Sequence, residues 1–390
     1  MAQTIDQAKT GGFENVAVIG FGLIGASFAA ALRAANPSAQ VMAVDTDLAT
    51  RVEAVNRGWA TATAAPDAAE FREFIEDGCD LVILATPVSV VEGYLKDLAK
   101  WGYRGIITDT ASTKSRIIEM AAHTLPYPQN FVPGHPMAGS EKNGIVGARA
   151  DLFKGAYWIL CPDADTPAEH FTRLHELITG IGARVISLPR EQHDAAVAVV
   201  SHVPHFTASS LVQLAVRHAK GQDSLMRLAA GGFKDSTRIA AGSPELWCGI
   251  AFDNKDALLG GLREMQGIIG QFADALEAGD RATLTSLLAE AADARRALPA
   301  AWLPCTERLL EVRIPMEDRP GVVAEVTTIT SKVGCNIQSI EIDHVTEDSA
   351  VLSLVLTDEG DIGKLSAHLI NAGFSVSFSP LAPKEHTHVG

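Results

Sequence analysis

Paired or clustered cysteines are missing from this sequence. The five present, Cys79, Cys161, Cys248, Cys305 and Cys335, fall in no CxxC or Cys/His spacing. That pattern excludes a disulfide framework and a cysteine-based zinc site, and no metal is expected. Basic clusters are missing as well: the net charge is −15, which argues against nucleic acid or an anionic membrane surface as partner. No targeting segment is evident, so the cytoplasm is the expected location. The uncharged run Val16–Leu32 is interrupted by Gly20, Gly22 and Gly25 and has no basic flank, unlike a signal peptide or membrane span. There is no internal repeat and no low-complexity tract. What is present is globular: 390 residues, 47% hydrophobic and 20% charged, long enough for two or three domains. In so acidic a chain, a single arginine or lysine near an anionic ligand becomes informative.

Residues 1–13 read as a loose polar leader. From 14 to 189, short apolar runs alternate with helical stretches: VAVIG (16–20), VMAVD (41–45), DLVILAT (80–86), GIITDT (105–110), NFVPGH (130–135), AYWILC (156–161) and ARVISL (183–188). Near-continuous apolar strands of this kind predict a parallel sheet covered on both faces, a Rossmann-type α/β domain. From 190 to 298 strand runs vanish, and Ala/Leu/Val-rich helices such as 193–219 and 255–279 take over. Their apolar residues fall on more than one face, which suits a bundle, a subunit interface or both. Residues 299–308, with two prolines, read as a linker. From 309 to 382 the order is βαββαβ, the ferredoxin-like arrangement.

The segment Gly20-Phe21-Gly22-Leu23-Ile24-Gly25 follows a strand and opens a helix. Its glycines permit a tight turn and close backbone approach, so that a pyrophosphate can sit on the helix N-terminus. A lone GxGxxG is weak. Here Asp45 also ends the second strand at the expected distance, where it would accept hydrogen bonds from the adenosine ribose. A carboxylate there repels a 2′-phosphate, so NAD is expected over NADP. Thr86, closing the strand 80–86, joins this cofactor set. The alternative, a glycine-rich turn with no ligand, fits the combination poorly.

Downstream, GHPMAGSEKNGIVGA (134–148) offers a histidine, a hydroxyl and a carboxylate in a Gly/Pro-framed loop. Beside a redox cofactor, that suggests an alcohol oxidised by hydride transfer, with His135 handling the proton. SHVPH (201–205) places His202 and His205 three apart, on one helix face. Arg238 in GGFKDSTR has the planar fork to hold both oxygens of a carboxylate.

The blocks GHPMAGSE (134–141), SHVPH (201–205), GGFKDSTRIAAGSPELW (231–247) and FDNKDAL (252–258) closely resemble the prephenate dehydrogenase family. The resemblance runs from about Asn15 to Met265. It implies a Rossmann-type domain plus an all-helical dimerisation domain. It also implies NAD-dependent oxidative decarboxylation of prephenate to the tyrosine precursor 4-hydroxyphenylpyruvate. Some family members prefer arogenate, and the motifs leave that choice open. By this resemblance His135 is the catalytic histidine. Ser112 in TDTASTK is the serine that hydrogen-bonds the same substrate hydroxyl, with helix capping near Thr113 as its structural alternative. Ser140 and Glu141 line the pocket, or Glu141 serves a helix start or ion pair. His205 faces the ring carboxylate and His202 the pocket, a core role being equally open for His202. Lys234 adds charge beside Arg238 or pairs with Asp235, and Trp247 walls the pocket or packs in a core. Two other readings are disfavoured: a catalytically silent amino-acid sensor would need neither site, and a β-hydroxyacid-type dehydrogenase would use a lysine base.

The tail sequence EDRPGVVAEVTTIT, followed by VGCNIQSIEI, resembles an ACT domain, a small amino-acid-binding regulatory module. That resemblance implies that Arg319-Pro320-Gly321, turning into a helix, and Asn336-Ile337, opening the next strand, receive an aromatic amino acid effector. Tyrosine is the logical inhibitor. The alternative is a structural appendage that helps a homodimer or larger homo-oligomer to form.

Overall fold

A computed structural model describes residues 11–140, 142, 144–219, 229–297, 309–317, 319–346, 349–357 and 362–381. The expected linker 299–308, most of the leader and Glu141 lie outside the described residues. Contacts divide the chain into two units, Met1–Gly270 and Gln271–Gly390.

The first unit is built on β1 (Asn15–Ile19), β2 (Gln40–Val44), β3 (Ala62–Ala64), β4 (Leu81–Leu84), β5 (Ile106–Asp109) and β6 (Phe131–Val132). All pair in parallel, in the order β3-β2-β1-β4-β5-β6. Alternation along β1 shows why a continuous apolar run suits this position. Val16 and Val18 enter one core with Phe28, Leu32 and Trp158, while Ala17 and Ile19 enter the other with Phe71, Leu95 and Ile117. The intervening helices are α1 (Leu23–Ala35), α2 (Leu48–Asn56), α3 (Ala69–Glu76), α4 (Val88–Lys100) and α5 (Ser115–Thr124). Strand order reverses between β1 and β4, and ligands of such sheets bind in the crevice beyond the strand ends at that point.

The sequence leads to one parallel sheet, and the structure departs from this after Val132. The run NFVPGH is cut at Pro133 into β6 and β7 (Gly134–Pro136). β7 pairs antiparallel with β8 (Tyr157–Leu160), which pairs parallel with β9 (Arg184–Ser187), as a separate three-stranded sheet. Proline has no N–H to continue the ladder. Gly134 then lets the chain pass close to β5, since a Cβ there would stand 2.8 Å from the Asp109 carbonyl. The short β3, in the run ATATAA, is a strand the apolar pattern does not reveal.

After α6 (Ala168–Gly180) the chain is helical: α7 (Arg190–Val197), a π-helical turn (Ala198–His202) and α8 (Val203–Ala219) form one continuous rod. By length and composition this rod is apolar enough to cross a membrane. It nonetheless buries four polar side chains, His193, Asp194, His202 and His205. Helices Gly231–Thr237, Pro244–Asp253, Lys255–Glu277 and Arg281–Ala297 follow, the division between the two units falling inside the third.

In the second unit, β10 (Leu309–Glu317), helix Val322–Lys332, β11 (Ile337–Thr346), β12 (Ser349–Thr357), helix Ile362–Asn371 and β13 (Ser377–Leu381) reproduce the βαββαβ order. The four strands form an antiparallel sheet, β11-β12-β10-β13, whose core joins Val312, Ile314, Leu352 and Leu354 to Val326 and Leu365.

Candidate active site

The β1–α1 turn is shaped by its glycines. Gly20 has φ +88°, and a Cβ on it would stand 2.5 Å from the Ala85 carbonyl, so only glycine fits against the end of β4. At Gly25 the neighbour is the Gly20 carbonyl, 2.0 Å from an added Cβ. Gly22 differs: nothing lies within 4 Å of where its Cβ would be. It is also the N-cap of α1, with no capping side chain and no acid in the first turn. A helix N-terminus with free amides facing open space suits an anion. Asp45 braces the turn, accepting hydrogen bonds from Phe21 N at 2.7 Å and Asp47 N at 2.9 Å. Phe21 turns its ring into the core, and Leu23 and Ile24 pack against the same core. Thr86 contributes a buried hydroxyl with no protein partner. An uncapped helix end, an open glycine and an unpaired hydroxyl together fit a dinucleotide.

The proton-handling side is assembled from distant segments. His135 lies on β7, 8% exposed. Its Nδ1 is 2.8 Å from Nε2 of His193, whose Nδ1 is 2.8 Å from Asp194 Oδ1. The Asp194 carboxylate also accepts the backbone N–H of Lys114 and of Ser115, each at 2.8 Å. It therefore caps α5 from α7. Ser112 does not: it sits half-buried in the β5–α5 loop, and α5 begins three residues later without a cap from its own N-cap side chain. Asn254 donates to the Asp194 carbonyl at 2.7 Å and stands 3.3 Å from His202 Nδ1. Below His135, the fully buried ammonium of Lys114 bonds Asp109 and, at 2.5 Å, the Gly134 carbonyl. Asp109 in turn accepts Gly134 N at 3.0 Å. The strand carrying His135 is thus pinned at both backbone groups of the preceding residue.

Burial, then the charge of Lys114 and the neighbouring His193 and His202, hold the His135 imidazole well below the usual histidine range. His202 is lowered to about 4, again chiefly by burial. Burial pushes Asp194 up, but hydrogen bonds from His193, Ser115 and the Lys114 amide outweigh it and bring the carboxyl to about 2. Burial raises Asp109 against the pull of Lys114.

A third group closes the cluster. His205 stacks on Trp247, with centroids 3.6 Å apart and planes within 11°, and bonds the Ile239 backbone. His202 meets the same indole edge-on at 6.1 Å. A Cβ on Gly242 would lie 2.5 Å from Trp247 Nε1, so the turn after Arg238–Ala241 runs directly against the indole. The segment bearing Arg238 is thereby tied to His205; Arg238 and Lys234 themselves are exposed, as is Ser140, whose hydroxyl accepts Lys142 N at 3.1 Å. Sequence reasoning missed His193, Asp194, Lys114, Asp109 and Asn254. The only local signal was the pair His193-Asp194, set directly before the apolar run Ala195–Val200.

A doubly wound nucleotide-binding sheet that ends beside a buried, low-pKa histidine defines a dehydrogenase of the dinucleotide-dependent class. Comparison with known proteins narrows this. The sequence profile described as prephenate dehydrogenase, nucleotide-binding domain, matches residues 28–187, and that described as prephenate dehydrogenase, dimerization domain, matches 189–290. The prephenate dehydrogenase of Bacillus subtilis is 32% identical over 352 residues, 89% of this chain and 93% of its own. The cyclohexadienyl dehydrogenase of Zymomonas mobilis is 35% identical, over 73% of this chain and 96% of its own. Among solved structures, prephenate dehydrogenase from Aquifex aeolicus in complex with hydroxyphenyl propionate and NAD+ is similar at TM-score 0.69 and 27% identity, covering 73% of this chain and 98% of that one. The chain belongs to the prephenate dehydrogenase family.

Proposed function

We propose that the chain catalyses NAD-dependent oxidative decarboxylation of prephenate. The observation that carries this reading is the buried neutral imidazole of His135, in a family whose members are named for that reaction. The substrate is a cyclohexadienol bearing a ring carboxylate and a pyruvyl side chain. His135 takes the C4 hydroxyl proton as the C4–H bond breaks. The Gly20–Gly25 turn, with Asp45 and Thr86 beside it, would hold NAD, which would supply the hydride acceptor. The resulting carbonyl draws in the electron pair of the C–C bond to the ring carboxylate, carbon dioxide leaves, the ring becomes aromatic, and the phenolate oxygen takes back the proton held by His135. In this reading His205, braced by Trp247, and Arg238 would meet substrate carboxylates, and Lys234, Ser112, Ser140 and His202 would line the pocket, Glu141 being assigned by its GHPMAGSE block alone. Burial raises the Cys79 and Cys161 thiols to about 12, so neither competes as a nucleophile at neutral pH. Steady-state rates with prephenate and with arogenate, each with NAD and NADP, test the reading. Turnover of prephenate with NAD is the expected result. Turnover of arogenate alone would reassign the substrate, which the cyclohexadienyl relative keeps as a second reading.

The helical segment is read as a homodimer surface. Leu214, Leu246, Phe252 and Ile269 are 53–68% exposed in the single chain, apolar side chains that a partner subunit would cover. The tail is read as an ACT-type regulatory domain for an aromatic amino acid, tyrosine being the natural end product. Its βαββαβ sheet and the Arg319-Pro320-Gly321 turn, with Gly321 in the left-handed region ahead of helix Val322–Lys332, support this. Asn336 and Ile337 stand at the start of β11. The cytoplasm is the compartment that suits an NAD-linked biosynthetic enzyme.

A further inference from the structure

We infer that Asp194 and His193 are positioning residues which fix the tautomer of His135 and give the proton it collects a second resting place. The inference rests on the functional reading above. Donor and acceptor logic fixes each step. An ionised carboxylate only accepts, so the 2.8 Å contact from His193 Nδ1 to Asp194 Oδ1 places a proton on Nδ1. With a single ring proton, held on Nδ1, His193 presents a bare Nε2 lone pair to His135 Nδ1, 2.8 Å away. That contact is a hydrogen bond only if His135 Nδ1 carries the proton. The remaining nitrogen of His135, Nε2, is left unprotonated, which is the form a general base requires.

Asp194 cannot easily turn away from this task. Its two oxygens also hold the first amides of α5, and its own carbonyl is held by Asn254. The carboxylate is therefore oriented by two helices at once. When His135 gains the hydroxyl proton at Nε2, its Nδ1 proton can shift along the existing bond to His193 Nε2. The positive charge then lies on His193, directly beside the Asp194 carboxylate. No bond is made other than those the protons exchange, and the charge leaves the His135 imidazole, whose protonated form the Lys114 ammonium disfavours. The groups that face His135 are Lys114 from the β5–α5 loop, with its partner Asp109 on β5, His193 and Asp194 on α7, and His202 from the π-helical turn. Of these, Asp194 alone favours the protonated imidazole at short range.

The test has a structural arm and a kinetic arm. In ligand-free wild-type protein labelled with 15N-histidine, the His135 signals, assigned by their loss in His135→Asn, are expected to show a protonated Nδ1 and a bare Nε2. The reverse assignment overturns the proposal. In prephenate assays His193→Leu removes the acceptor, and kcat is expected to fall on the order of 10²-fold while both KM values stay within about threefold. His193→Gln restores an acceptor at the position of Nε2, and about tenfold of the loss is expected to return. Asp194→Asn keeps one acceptor oxygen for His193 and the Lys114 amide but removes the charge and the acceptor for Ser115 N, so the acid limb of kcat/KM should move to lower pH. A His193→Leu enzyme with wild-type kcat and an unmoved acid limb would overturn the proposal too. If His193→Leu fails to fold, the tautomer measurement and His193→Gln decide. The expected tautomer without turnover of prephenate would instead sink the substrate reading and leave the positioning role standing.

Discussion

The glycine turn closes β1 of the six-stranded sheet, whereas the histidine cluster centres on β7 of the three-stranded one, and the two are built by opposite means. The turn is made of backbone: six consecutive residues, a helix N-terminus and one carboxylate 20 residues beyond Gly25. The cluster is made of side chains drawn from β5, the β5–α5 loop, β7, α7, the π-helical turn, α8 and helix Pro244–Asp253, spanning Asp109 to Asn254. The first needs only local chain geometry to exist. The second exists only once the tertiary fold has closed around it. Local damage should therefore harm the turn in proportion, whereas damage to the cluster should propagate.

The largest effect is expected at the centre of the cluster. His135→Asn should lower kcat on the order of 10²–10⁴-fold, as for a lost general base, with the NAD dissociation constant nearly unchanged. Retention of more than about a tenth of the activity would move the base elsewhere. Next comes Lys114→Met, which strands Asp109 without a partner although both side chains are fully buried. Breaking such a pair costs about 3–5 kcal/mol, read as a lower urea midpoint at pH 7. Burial already raises the Asp109 carboxyl, so the folded variant binds a proton more readily than the unfolded chain, and part of the loss should return as pH falls. A variant as stable as wild type at pH 7 would make the pair ornamental.

Arg238→Gln should raise the prephenate KM more than it lowers kcat, by about thirty-fold or more if the substrate carboxylate loses a charge partner worth about 2 kcal/mol or above. An unchanged KM would leave the carboxylate to another cation. The smallest effect belongs to the backbone-built turn: Asp45→Ser should relax the preference for NAD over NADP in kcat/KM while leaving kcat with NAD near wild type. If the NAD to NADP ratio does not move, the ribose is read by another group.

The same contrast explains what was legible in the sequence. Gly20, Gly22, Gly25 and Asp45 were readable because strand, turn and helix announce themselves in consecutive residues. His135, His202, His205, Arg238 and Trp247 were readable through their motif blocks, and the structure ties His205, Trp247 and the Arg238 segment together. Lys114 and Asp109 were in view within a strand and its loop, but nothing local says that both are buried. Asp194 was the least legible, because its role is to cap a helix about 80 residues earlier in the chain. The sheet change at Pro133 escaped for a related reason: a single proline in an apolar run does not reveal that Gly134 must slip past the Asp109 carbonyl. The tail was legible as an order of elements, since alternating strands and two short amphipathic helices are local patterns.

One measurement bears most directly on the account: the pH profile of kcat/KM for prephenate in wild type and in His135→Asn. The base must be neutral to take a proton, and burial lowers its pKa, so activity is lost only as pH falls through that lowered value. The wild-type profile should keep its activity through pH 6.5 and carry an acid limb below it, and the residual activity of His135→Asn should lack that limb. The same acid limb persisting in His135→Asn would show that another group removes the proton, and would contradict the account at its centre.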